Sequence, residues 1–241
     1  MTGVVLAGER PGGDPLARAL EVGAKALAPV AGQAMGERVV STLAALMPVR
    51  VFGTEALGAR LGGVAVEPAA RSIAATLRPL LDRFDGPLLV TTADHPLLDA
   101  AMVEAFLGRA RGHDLAVGLV ERGTLLAVHP HNRRTWLHFR GGAYSGANLF
   151  WIGSAHVLPL LEVWARAEQR RKRARALVGA FGLFLLFGVA LRLLTLEQAL
   201  ARVGRRFGLS ITAVVLPQAE ACIDVDSVAD LELVERILKS R

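Results

Sequence analysis

Pro87-Leu88-Leu89-Val90-Thr91-Thr92-Ala93-Asp94-His95-Pro96 is the stretch whose reading decides the fold. Its apolar and β-branched run is too short for an ordinary helix. It ends on a carboxylate and is punctuated by proline, so Pro87–Thr92 reads as a buried strand with an acidic residue just past its carboxyl end. Working outward, Thr2–Ala7 is a second such run, closed by Gly8, and Val49–Gly53, Gly63–Glu67 and Asp114–Val120 are three more. Helical stripes lie between them. Met35, Val39, Val40, Leu43 and Met47 share one helix face that Pro48 closes, and Glu55–Leu61, Ser72–Phe84 and Asp99–Arg111 follow the same pattern. Strands alternating with helices in this way predict an α/β fold with a doubly wound, mostly parallel sheet.

Beyond Val120 the alternation weakens. Thr124–Val128, Ala147–Ile152, Ile211–Leu216 and Ala221–Val225 read as strands; Ser154–Arg175, Thr195–Phe207 and Val228–Leu238 read as helices. The 241 residues allow one large domain or two small ones, at a soft prior of roughly 150 residues per domain. The expectation is a single domain over 1–241 with a helical insertion at about 154–207.

The formal charge of +6 is local: six basic residues against Glu168 between Arg166 and Arg175 supply +5 of it. The body is therefore near neutral, and the basic run has no interleaved aromatics, which argues against a nucleic-acid partner. Cys222 is the only cysteine, which excludes an internal disulfide framework and any multi-cysteine metal site. The first residues, Met1-Thr2-Gly3-Val4-Val5-Leu6, have no basic region and only a short apolar run, so a signal peptide is not expected and a reducing, cytoplasmic setting is. A hydrophobic fraction of 52% and mean hydropathy of +0.40 exclude disorder and leave membrane association open.

In an open parallel sheet, ligands gather at the carboxyl ends of the strands. The glycine-rich segment Gly8–Lys25 leaves the first strand there and Asp94 leaves the fourth. Glycine main-chain amides with Arg10 and Lys25 suit phosphates, and a carboxylate on the same edge suits Mg²⁺. Only three of the 28 cations are lysine, which makes Lys25 stand out. Against this, loop glycines are ordinary turn punctuation, and Asp94 could simply cap the next helix. Near the C-terminus, Asp224 and Asp226 are two apart and in an extended segment point to one side, where they could share a cation; Asp226 or Ser227 could instead cap the last helix. Neither a Walker A motif nor G-x-G-x-x-G is present.

Four motifs resemble, in order, those of MobA-like nucleotidyltransferases: Leu6-Ala7-Gly8 with the later Lys25-Ala26-Leu27-Ala28-Pro29-Val30; Thr91-Thr92-Ala93-Asp94-His95-Pro96; Tyr144-Ser145-Gly146-Ala147-Asn148; and Asp224-Val225-Asp226-Ser227-Val228-Ala229-Asp230-Leu231. The resemblance implies a GT-A-like, Rossmann-like fold and transfer of a nucleoside monophosphate from a nucleoside triphosphate to a phosphorylated acceptor, with loss of pyrophosphate. It implies Lys25 on the triphosphate, Leu6, Ala7 and Gly8 against the nucleotide, and Asp94 with Asp224 or Asp226 on Mg²⁺ or Mn²⁺. Ser72 falls where the family contacts base or ribose, and Gly146 and Asn148 fall beside the acceptor. The segment from Leu6 to Lys25 is longer than the family's, and Glu9 replaces its second glycine. Arg10 and Arg18 therefore compete for the phosphate-binding role, and the base is not legible.

Two other functions fit the pattern: a GT-A glycosyltransferase using a sugar nucleotide, and a membrane-associated nucleotide-binding protein without catalysis. Ala176–Leu191 is uncharged and follows the basic run. It reads as a buried helix or helix pair, as a segment lying in the inner membrane interface through 166–192, or as a marginally short span. The interfacial reading would suit a lipid-precursor acceptor.

Overall fold

The computed structural model describes residues 1–9, 12–70, 72–169 and 192–241. Arg10, and with it one of the two candidate phosphate arginines, lies outside them, as does 170–191, the heart of the insertion expected to touch a membrane. In chain order the elements are β1 (Thr2–Leu6), α1 (Pro15–Ala19), β2 (Pro29–Val30), β3 (Gln33–Ala34), α2 (Met35–Ala44), β4 (Val49–Gly53), α3 (Glu55–Gly58), β5 (Val66–Pro68), α4 (Ile73–Arg83), β6 (Leu88–Thr92), α5 (Ala100–Ala110) and β7 (Leu115–Glu121). There follow α6 (Arg122–Val128), β8 (Leu137–Phe139), β9 (Gly142–Ile152), α7 (Leu158–Gln169), α8 (Leu196–Phe207), β10 (Ile211–Val215) and α9 (Val228–Lys239).

The main sheet runs β10-β7-β9-β6-β1-β4-β5, with β8 added along β9. It is mixed and mostly parallel: β1 lies parallel between β4 and β6, while β9 runs antiparallel to both β6 and β7. Alternate strand residues serve opposite faces. Val5, Val51 and Leu89 join the core under α2, α5 and α9; Val4, Phe52, Leu88 and Val90 join the other, with Leu77 and Leu81 of α4 and Leu160 of α7. Burying one such aliphatic side chain is worth about 1.5–3 kcal/mol. Both faces are covered, which is why the strands read as continuous apolar runs.

Caps settle several of the ambiguous acids. Asp99, not Asp94, caps α5 by accepting from Met102 N at 2.9 Å. Ser227, not Asp226, caps α9, its hydroxyl accepting from Asp230 N and donating to Asp230 Oδ2 at 2.7 Å. Thr195 and Gln198 form a reciprocal capping box that starts α8.

Three expectations are corrected. Thr124–Val128 is part of α6 rather than a strand: Leu125 enters the core and the apolar run is spent on a single helical stretch, an ambiguity that short apolar runs carry. Ala221–Val225 makes no ladder. Ala219–Cys222 is a 3₁₀ turn, and the following extended residues hang on Val225 N donating to Asp94 O at 2.9 Å. The long loop expected from Gly8 to Ala34 contains α1, whose cap Asp14 accepts from Leu16 N at 2.9 Å, and the β2–β3 hairpin, turned by Ala31 and Gly32 at positive φ. Of the helices expected at Ser154–Arg175 and Thr195–Phe207, α7 covers Leu158–Gln169 and α8 covers Leu196–Phe207, while 170–175 lie outside the described residues. Among the described residues no helix is long and apolar enough to cross a membrane.

Candidate active site

Parallel pairing of β1 with β6 brings Leu6 opposite Thr92. The residues after each strand therefore emerge on one edge, and Leu6, Ala7, Gly8 and Glu9 line a narrow cleft with Lys25, Ala93 and Asp94. Lys25 comes to that edge on a 3₁₀ turn, Lys25–Leu27, seated on the start of α2. The seat requires Gly36: a Cβ there would lie 3.1 Å from Ala26 Cβ and 3.2 Å from Ala26 O.

Lys25 Nζ donates to Asp94 Oδ2 at 2.8 Å and also to Asp226 Oδ1. Thr92 Oγ1 donates to Asp94 Oδ1 at 2.5 Å. Burial works against the Lys25 charge, yet the two carboxylates outweigh it and raise its pKa above the ordinary lysine value. Burial also pushes the Asp94 carboxyl up, but Lys25 and the Thr92 hydroxyl hold it below the ordinary carboxylate value. Both groups are charged at neutral pH. His95 is wholly buried beside the Glu220 main chain, and burial pushes its pKa down to about 4. Its ring nitrogens make no hydrogen bond of normal geometry.

A second cluster adjoins the first. Arg134 donates from Nη1 to Asp224 Oδ1 and from Nη2 to the Asp224 carbonyl at 2.8 Å, and Asn148 Nδ2 donates to Asp224 Oδ2 at 3.4 Å. Asn148 reaches this position because the β7–β9 register shifts between Val117 and Leu119. At this bulge Asn148 adopts φ of 49°, a conformation asparagine tolerates better than most residues. Gly118 permits the close approach: a Cβ there would lie 3.0 Å from Leu149 Cβ.

Asp94 and Asp226 thus converge on one ammonium, while Asp224 turns to Arg134 and Asn148. Among the described residues no three His, Cys, Asp or Glu side chains gather as a metal group, so the structure does not bring all three aspartates to one point. Two carboxylates with phosphate oxygens still match the donor set that Mg²⁺ takes, and Asp94 with Asp226 could hold one. Gly146 is exposed on β9, two residues from Asn148, with open space beside it. Ser72 caps α4, accepting from Ala75 N at 3.2 Å, and is not brought to the Lys25 cluster by any contact. Arg18 is exposed on α1. Arg134 and Thr92 were not singled out by sequence reasoning. Adjacent arginines in the polar loop after Pro130 were the available signal for the first.

A mixed, mostly parallel sheet covered on both faces, with its polar cluster at the strand ends, is the GT-A-like nucleotidyltransferase fold. The chain belongs to the MobA-like NTP transferase domain family, whose profile matches residues 3–181. Among solved structures it is similar to a hypothetical transferase from Thermus thermophilus, at 29% identity and a TM-score of 0.83, covering 95% of this chain and 98% of that one. It shares the fold of molybdopterin-guanine dinucleotide biosynthesis protein A from Archaeoglobus fulgidus (13% identity, TM-score 0.54, all of both chains). It also shares the fold of a 2-C-methyl-D-erythritol 4-phosphate cytidylyltransferase, again from Thermus thermophilus (16% identity, TM-score 0.54, 98% of each chain). No curated protein sequence matches the chain.

Proposed function

We propose that residues 1–241 form one nucleotidyltransferase domain that moves a nucleoside monophosphate from a nucleoside triphosphate to a phosphorylated acceptor. The observation that carries this reading is the Lys25 ammonium shared by Asp94 and Asp226 at the edge where Gly8 leaves β1. An acceptor phosphate oxygen attacks the α-phosphorus; a new P–O bond forms as the bond to the bridging oxygen breaks, and pyrophosphate leaves with that electron pair. An acceptor that arrives as a phosphate dianion needs no general base, which is consistent with a buried, neutral His95.

Little covalent work falls to the protein, so positioning and charge dominate. Gly8 lets the main chain approach the nucleotide. Lys25, with Arg10 or Arg18 from the same segment, stabilises charge growing on the leaving pyrophosphate. Asp94 and Asp226 would hold Mg²⁺ or Mn²⁺, which when bound supplies the charge that lets two anions meet. Thr92 orients Asp94, and Arg134 with Asn148 orients Asp224, keeping it beside the metal-binding pair rather than in it.

The test is thermal stability with CTP, GTP, UTP or ATP, each with Mg²⁺. A ligand at 100 times its Kd stabilises the native state by about 2.7 kcal/mol. One of the four is expected to raise the melting temperature, and pyrophosphate is then expected on addition of a phosphorylated acceptor. No stabilisation by any of them would overturn the reading. Release of nucleoside diphosphate from a sugar nucleotide would assign glycosyl transfer instead.

A further inference from the structure

A cleft of about 430 Å³ opens beside Asp224, lined by Arg122, His131, Asn132, Arg133, Arg134 and Trp136. Its size falls in the range of small-molecule sites. We propose that this cleft is the subsite for the acceptor, and that the acceptor is an organic phosphate whose anion is held by Arg122 and Arg133 and whose body lies against Trp136. The proposal rests on the nucleotidyl-transfer reading for the word acceptor; the anion site itself stands on the observations that follow.

Three arginines line the cleft and no carboxylate does. Only Arg134 has an acidic partner, Asp224; Arg122 and Arg133 make no ion pair among the described residues. Cations drawn into a concavity without counter-charges repel one another, and an anion relieves that repulsion. Guanidinium groups suit phosphate because their N–H donors match its oxygens in pairs.

The wall also carries unused polar atoms. The Arg134 side chain is 10% exposed, and its Nε is buried without a partner, as is Asn132 Oδ1. Buried donors and acceptors are normally satisfied, and these two belong to residues facing the cleft. A neighbouring hollow of about 610 Å³, between the same loop and α9, includes Asp230. That carboxylate would oppose an anion there, which selects the Arg122 side of the loop. Arg134 connects the chosen cleft to the catalytic edge: it lines the cleft and grips Asp224, and the next residue, Val225, is bonded to the Asp94 main chain.

Phenyl phosphate and inorganic phosphate serve as probes, titrated calorimetrically into the full chain. The wild type, Lys25→Ala, Trp136→Ala and the double variant Arg122→Gln/Arg133→Gln are compared. Phenyl phosphate is expected to bind wild type and Lys25→Ala alike and the double variant at least tenfold more weakly. It should bind wild type more tightly than inorganic phosphate does, a preference lost in Trp136→Ala. Stabilisation by the nucleoside triphosphate with Mg²⁺ should show the reverse pattern, kept in the double variant and lost in Lys25→Ala; its retention also shows that the double variant is folded. Phenyl phosphate binding unchanged in the double variant, or absent from wild type, overturns the proposal. Loss of phenyl phosphate binding in a double variant that still unfolds cooperatively at the wild-type temperature, with no triphosphate stabilising wild type, would keep the anion site and remove the nucleotidyl-transfer reading.

Discussion

Asp224 and Asp226 flank one buried residue, Val225, yet they end in different surroundings. Asp226 joins Lys25 and Asp94 at the ends of regular strands, with its side chain 49% exposed. Asp224 is 26% exposed and is gripped by Arg134 and Asn148, one from an irregular loop and the other from a β-bulge. The first cluster is built where side chains can meet a ligand. The second is braced inside the protein. Identical side chains two positions apart thus end in different surroundings, one open at the strand ends and one held by two partners, while the N–H of the residue between them is bonded to the Asp94 carbonyl.

The largest expected effect falls on the first cluster. Asp94→Asn should lower Mg²⁺-dependent pyrophosphate release by at least about 10²-fold, the scale on which aimed charges act in transition states, and Lys25→Ala should do the same. Retained activity in either variant would break the division. A paired measurement then sharpens it. Asp224→Asn leaves a largely buried Arg134 without its counter-charge and should cost about 2 kcal/mol in urea unfolding, below the 3–5 kcal/mol of a fully buried pair because Asp224 retains some exposure. Asp226→Asn should cost less than about 1 kcal/mol while abolishing metal-dependent turnover. If the two stability costs proved equal, the contrast would fail.

Asn148→Val should cost about 1–2 kcal/mol, because a β-branched residue resists the positive φ held there. Asn148→Gly should cost less, since only the hydrogen bond to Asp224 is lost. The smallest effect concerns Cys222, beside the second cluster. Burial pushes its thiol up to about 11, so at pH 8 the folded protein should resist iodoacetamide, with labelling accelerating as the pH approaches 11, since the thiolate is the reactive form. Arg134→Ala should hasten labelling at pH 8 if that arginine braces the segment after the 3₁₀ turn.

The same contrast explains what the sequence could show. Strand ends carrying Gly8 and Asp94 were legible because a parallel sheet puts such residues on one edge whatever the side chains farther away do. The Asp224–Asp226 pair was legible as a pair but not in its division, because period-two alternation gives the direction of a side chain and not its partner. Arg134 was missed because nothing local marks a loop arginine whose partner lies 90 residues on. Thr124–Val128 reads wrongly as a strand because a short apolar run satisfies a strand and a short helix equally well. Asn148 was named from a motif, while the backbone twist that aims it depends on Gly118 in a different strand.

Lys25 and Asp226 are separated by 201 positions, and this distance has a consequence for biosynthesis. During translation the ammonium emerges before its first carboxylate, and the sheet around them can begin to form, but the second carboxylate follows only after β7, β9 and β10. A nascent chain would therefore hold a half-built centre in which Lys25 has Asp94 alone. The three-membered cluster closes only when the segment carrying Asp226 docks beside the end of β6, where the Val225 N–H meets the Asp94 carbonyl.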